Sequence, residues 1–120
     1  MLDVPATRLD TGAGLTNIPT SLADELGIAY SNGSTIEVTG ATGKGTGYLG
    51  SIVCGFECVP GFEFQFDCIF NPNVPCPLLS LRDVVANFDV GTKRPSRKHV
   101  YGAFVLRLRR DHLGTPIEAP

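Results

Sequence analysis

The chain is poor in the residues from which most metal and covalent-catalysis sites are built. It has two histidines, His99 and His112, both late in the sequence. Its four cysteines, Cys54, Cys58, Cys68 and Cys76, include no C-x-x-C pair. A zinc ribbon or dithiol redox site is therefore disfavoured, and reduced thiols in the interior are the expectation. There is no G-x-S-x-G turn, so a serine hydrolase would lack its nucleophile elbow. No apolar stretch approaches the roughly 18 residues that span a bilayer. The opening Met1-Leu2-Asp3-Val4-Pro5 has neither the basic start nor the apolar run of a secretory leader. A cytoplasmic protein is expected, with no membrane partner. A formal net charge of -2 gives no general attraction to nucleic acid, and none is expected as a partner. Basic residues do gather in the last third, at Lys93, Arg94, Arg97, Lys98, Arg107, Arg109 and Arg110, which reads as a solvated strand face.

What is abundant is punctuation. Fourteen glycines and nine prolines separate short apolar runs rich in β-branched and aromatic residues, the pattern of an all-β protein. With 120 residues there is enough chain for one domain with its own core, expected over 1–110 with a flexible tail over 111–120. Strands are expected from Val4 to Leu9, Leu15 to Ile18, Ser34 to Val38, Tyr48 to Cys54, Gly61 to Phe70 and Val100 to Leu108. In the fifth of these, Phe62, Phe64 and Phe66 alternate with Glu63, Gln65 and Asp67, which gives one buried face. A short helix is expected from Thr20 to Gly27, N-capped by Thr20 or Ser21 and ended by Gly27. A second runs from Ser80 to Phe88 with Ser80 as N-cap and Leu81, Val84, Val85 and Phe88 on one stripe. Phe88 to Val90 then resumes strand character, and Gly91 to Lys98 reads as a basic flexible turn. The glycine-dense stretch from Thr39 to Gly47 has the look of a phosphate loop only at Gly43-Lys44. Gly45 stands where Ser or Thr should follow the lysine, so a mobile β-hairpin is the better reading.

The candidate chemistry lies at Leu9-Asp10-Thr11-Gly12-Ala13-Gly14, followed by Leu15-Thr16-Asn17-Ile18-Pro19. A carboxylate at a strand end, followed by a hydroxyl and a glycine, sits in a turn that Thr11 can lock and that Gly12 lets the backbone close around. This segment resembles the active-site motif of the retropepsin-like aspartic proteases. Pro19-Thr20-Ser21-Leu22-Ala23-Asp24-Glu25-Leu26-Gly27 is similar to the helix that follows it in the single-domain, bacterial-type members. The resemblance covers about residues 4 to 108 and implies an acid-protease fold. That fold is a closed, β-barrel-like sheet with a glycine-rich flap hairpin and one short C-terminal helix. It implies Asp10 as the catalytic residue, with Thr11, Gly12 and Ala13 supporting the active-site loop. The flap over bound peptide would carry Gly40, Ala41, Gly43, Gly45 and Gly47. Ile18, Leu78 and Leu79 would give hydrophobic support and subsites, with Leu49 and Ile52 as further apolar lining. No metal or cofactor is implied. Two positions depart from the family pattern: Ser80 stands where glycine follows the apolar pair, and Arg8 stands where an apolar residue precedes the aspartate. A buried Arg8 would need a partner, for which Asp83 is the expected choice.

Only one such aspartate exists in the chain, and no segment repeats. Metal-free peptide hydrolysis needs both a base and an acid. The resemblance therefore implies an endopeptidase active only as a homodimer, with two Asp10 carboxylates sharing a proton across a two-fold axis. Its partners would be a second copy and a peptide or protein substrate. Ala13 provides no hydroxyl beside the carboxylate, and a mildly acidic to neutral working range is expected. The alternative is a non-catalytic dimeric interaction module that retains the fold, the reading that Ser80 and Arg8 favour.

Overall fold

The computed structural model describes residues 7–40, 43–57, 59–98, 100 and 103–117. They form β1 (Arg8–Asp10), β2 (Thr16–Pro19), α1 (Thr20–Glu25), β3 (Thr35–Gly40), β4 (Gly43–Cys54) and β5 (Phe62–Asn71). These are followed by β6 (Leu78–Ser80), α2 (Leu81–Val85), β7 (Phe88–Lys93), β8 (Ala103–Leu108) and β9 (Thr115–Pro116). The protein is thus mainly β, as the punctuation predicts. The chain divides into two units, one of Met1–Val53 with Gln65–Asp83 and one of Cys54–Phe64 with Val84–Pro120.

In the first unit the strand order is β1-β6-β2-β5-β4-β3. β1 pairs parallel with β6 and β2 parallel with β5, while β2–β6 and β3–β4 are antiparallel. Among the described residues this path is open, with β1 and β3 at its ends, so the expected closed barrel is not formed. β5 explains why the sheet has one dry face. Phe64, Phe66, Cys68 and Phe70 are buried while Glu63, Gln65 and Asp67 are exposed, because alternate residues of a strand face opposite sides. Ile18, Ala23, Cys68 and Phe70 form the core, with Leu22, Ile28, Tyr30, Tyr48 and Ile52 against it. Tyr30 stacks on Phe70 at 5.4 Å and meets Tyr48 at 5.5 Å. Burial pushes the Tyr30 hydroxyl above its ordinary range, assisted by its hydrogen bond with Asp24.

Helix α1 begins directly after β2, so Pro19, not Thr20 or Ser21, occupies the N-cap, and no side-chain cap bond forms. Its end follows the sequence. Gly27, at φ 70, donates to Asp24 O, and Ile28 donates to Ala23 O at 2.9 Å, the paired bonds of a Schellman motif.

In the second unit β7 and β8 form a two-stranded antiparallel ribbon, from Phe88 opposite Leu108 to Lys93 opposite Ala103. Gly91–Lys93, expected as the start of a turn, therefore continue the strand. Helix α2 stops at Val85, and Phe88, expected as its last apolar position, opens β7 instead. Residues 111–117 are not the loose tail that two prolines suggest. Thr115 and Pro116 pair with Glu63 and Phe62, Ile117 N donates to Gly61 O, and Leu113 N donates to Asn87 Oδ1. Val4–Ala6 of the first expected strand lie outside the described residues. Cys54, Cys68 and Cys76 stand as thiols, and Cys58 lies outside the described residues.

Candidate active site

Asp10 is placed by pairing. Arg8 N donates to Pro77 O at 2.9 Å, and Arg8, Leu9 and Asp10 run parallel to Leu78, Leu79 and Ser80. The carboxylate thus stands at the end of β1 opposite Ser80, half-buried, where the chain turns away. Two backbone bonds close that turn: Gly12 N donates to Asp10 Oδ1 at 2.9 Å, and Ala13 N donates to Asp10 O at 3.2 Å. Thr11 and Gly12 are exposed. Gly12 is not among the glycines at positive φ, and a Cβ built on it would meet Asp10 Oδ1 at 3.5 Å, an ordinary contact. What the loop uses at position 12 is therefore the N–H, which donates to a carboxylate oxygen.

Beneath the loop lies a buried polar cluster that the sequence reading did not single out. Thr16 Oγ1 donates to Asp83 Oδ2 at 2.6 Å and accepts from Ser80 N at 3.1 Å, while Asp83 N donates to Ser80 Oγ at 3.1 Å. Thr16 and Ser80 are fully buried and Asp83 is 8% exposed. Three elements are joined: β2 through Thr16, β6 through Ser80 and the first turn of α2 through Asp83. Since β6 carries β1 in register, this cluster fixes the strand from which Asp10 projects. Ser80 caps α2 as expected, its hydroxyl accepting from Asp83 N. Arg8 is exposed, not buried, because it lies on an end strand of the sheet. Asp83 is instead held by Thr16, with Arg82 Nη2 at 3.8 Å.

The hairpin glycines lie in β3 and β4, where Gly40 faces Gly43; Ala41 lies outside the described residues. Gly47 is a close-approach position, since an added Cβ would come within 3.0 Å of Ile69 Cγ2 and Val38 Cγ1. At Gly45 the neighbours are Asn73 Nδ2 at 3.1 Å and Pro72 Cγ at 3.3 Å. Of these glycines, only Gly43 uses a positive φ, at 114°. Ile18 lies in the core at 6% exposure, so its place is support. Leu78 and Leu79 are half-buried in β6, and Ile52 lies against the core. Leu49 joins Leu15, Gly50, Ser51, Asp67 and Cys68 around an open depression of about 460 Å³. Strand pairing places Leu78 and Leu79 opposite Arg8 and Leu9, the two residues before Asp10, and Ile18 lies within the core.

The site as a whole offers one half-buried carboxylate, fixed by a backbone N–H, on an exposed turn. Compared with known proteins, the chain matches no family model, no curated protein and no solved structure.

Proposed function

We propose that the protein is an aspartic endopeptidase of retropepsin type, active as a homodimer in which two Asp10 carboxylates face one another. The observation that supports this reading is the Asp10 turn itself, a carboxylate at a strand end held by Gly12 N at 2.9 Å. Its exposed face is available to a second copy. Two carboxylates about 3 Å apart share a single proton, because both cannot ionise at that distance. The ionised member takes a proton from a water molecule as the water oxygen bonds to the scissile carbonyl carbon. The protonated member gives its proton to the carbonyl oxygen. Collapse of the gem-diol breaks the C–N bond: the first carboxyl gives its proton to the amine nitrogen, the second takes one from a diol hydroxyl as the acid product forms, and both return to their starting protonation. The β3–β4 hairpin covers the extended peptide and excludes water.

The test is cleavage of a peptide library by the purified chain beside Asp10→Asn, from roughly pH 4 to pH 7, with light scattering on each sample. Cleavage by the native chain that falls at least about 100-fold in the variant is the expected result. A dimer that cleaves nothing overturns the peptidase and leaves the non-catalytic dimeric module. Cleavage that survives in the variant removes Asp10 from the chemistry.

A further inference from the structure

Three asparagines form a continuous hydrogen-bonded chain that no step of peptide hydrolysis requires. Asn17 Nδ2 donates to Leu15 O at 3.0 Å, at the end of the Asp10 turn segment. Asn71 Nδ2 donates to Asn17 Oδ1 at 3.0 Å, and Asn71 Oδ1 accepts from Asn73 N at 2.9 Å. Asn73 Nδ2 then donates to Gly43 O at 3.3 Å, on the first residue after the hairpin turn. The chain crosses β2, the end of β5 and the tip of the β3–β4 hairpin. Its middle is anchored, since Asn71 is 6% exposed. At its outer end the Asn73–Gly43 bond is exposed.

We propose that Asn73 is a positioning residue that fastens the hairpin tip, and that Asn71 and Asn17 carry this fixed point to the segment following Asp10. This deepens the peptidase reading by naming what governs access to its site; the fastening itself stands on the geometry alone. Asn73 and Pro72 also fit against Gly45, where a Cβ would intrude. A single exposed bond biases an opening equilibrium by roughly three- to ten-fold, enough to hold a hairpin down and weak enough to release it.

Hydrogen–deuterium exchange of the native chain, Asn73→Ala and Asn73→Asp decides the matter. Asn73→Asp keeps the shape but replaces the donor with an acceptor-only carboxylate at neutral pH. Both variants should speed exchange over residues 39–48 by roughly three- to ten-fold, with 62–70 unchanged. Native exchange over the hairpin in either variant overturns the proposal, as does equal acceleration over 62–70. Where the native chain cleaves peptide, both variants should also raise KM more than they lower kcat. A chain that cleaves nothing fails the peptidase reading, and the exchange result then decides the fastening by itself.

Discussion

Each of the two units has its own kind of internal cohesion. Around Asp10, side-chain hydrogen bonds fix the elements: Thr16, Ser80 and Asp83 join two strands and a helix, and Asn17, Asn71 and Asn73 join a strand, a loop and a hairpin. In the unit that carries the β7–β8 ribbon, aromatic edges dominate. Phe88 meets Phe56 at 5.0 Å and Phe64 at 5.5 Å, and Phe62 meets His112 at 4.9 Å. Hydrogen bonds are directional and weaken steeply off-angle, whereas aromatic pairs accept a range of offsets. A unit built on the first positions a functional group to a fraction of an ångström. A unit built on the second supplies burial energy and tolerates small shifts. The contrast teaches where to look for altered function and where to look only for altered stability.

The largest effect should come from Phe88→Ala. Phe88 is 1% exposed, and truncating a buried phenylalanine costs about 3–5 kcal/mol. Urea denaturation measures this, and exchange around the Asp10 turn should remain native in the folded protein. A loss under about 1 kcal/mol would show that aromatic packing does not carry that unit. Thr16→Val follows. It keeps the shape while leaving a buried Ser80 N–H and an Asp83 carboxylate oxygen without their Thr16 partner, at about 2–4 kcal/mol. Unlike Phe88→Ala, it should loosen β6 and with it the Asp10 turn, visible as faster exchange over 8–13. Thr16→Ser, which restores the hydroxyl, should recover most of both losses. Gly47→Ala comes third, at about 1–3 kcal/mol, because its methyl group would crowd Ile69, Val38 and the Phe70 carbonyl. A neutral result would mean that β4 shifts away from β5 at little cost.

Legibility in the sequence followed locality. The alternation in β5, the Gly27 stop and the Ser80 cap are each written within a few residues, and each appears in the structure. The expected Thr20 or Ser21 cap does not form because β2 runs into α1 without a linker, which puts Pro19 at the N-cap and leaves no position for a hydroxyl before the first turn. The ribbon was cut short because Gly91-Thr92-Lys93 has turn composition, and its pairing with β8 is non-local. Thr115 and Pro116 look like tail because their partners, Phe62 and Glu63, are remote in sequence. The candidate carboxylate was visible from its turn residues, but its support was not. Thr16 and Asp83, or Asn17 and Asn71, meet only once the register of β2 against β5 and β6 is set. Asn71-Pro72-Asn73 did carry a signal, that of a turn, but nothing in it names Gly43 as the partner.

The smallest expected effect tests whether a salt bridge belongs to either kind of cohesion. Arg109 Nε donates to Asp111 Oδ1 at 2.9 Å and Nη2 to Oδ2 at 3.1 Å, an exposed bidentate pair in the unit where aromatic contacts are concentrated. The hydrogen bonds from Arg109 hold the Asp111 carboxyl below its ordinary value of 3.8. A carboxyl depressed in the folded state stabilises the fold above the unfolded value, and that contribution disappears as pH falls through the folded one. Asp111→Asn should therefore lower the thermal midpoint slightly at neutral pH, with the difference closing as the pH drops below about 4. The Asp111 side chain is 72% exposed, so the difference should also shrink in about 1 M salt. A difference unchanged by both acid and salt would assign the effect to the loop geometry that Asp111 shares with Leu113 and Asn87. That outcome would join Asp111 to the directional tie that Leu113 N and Asn87 Oδ1 already form in this unit.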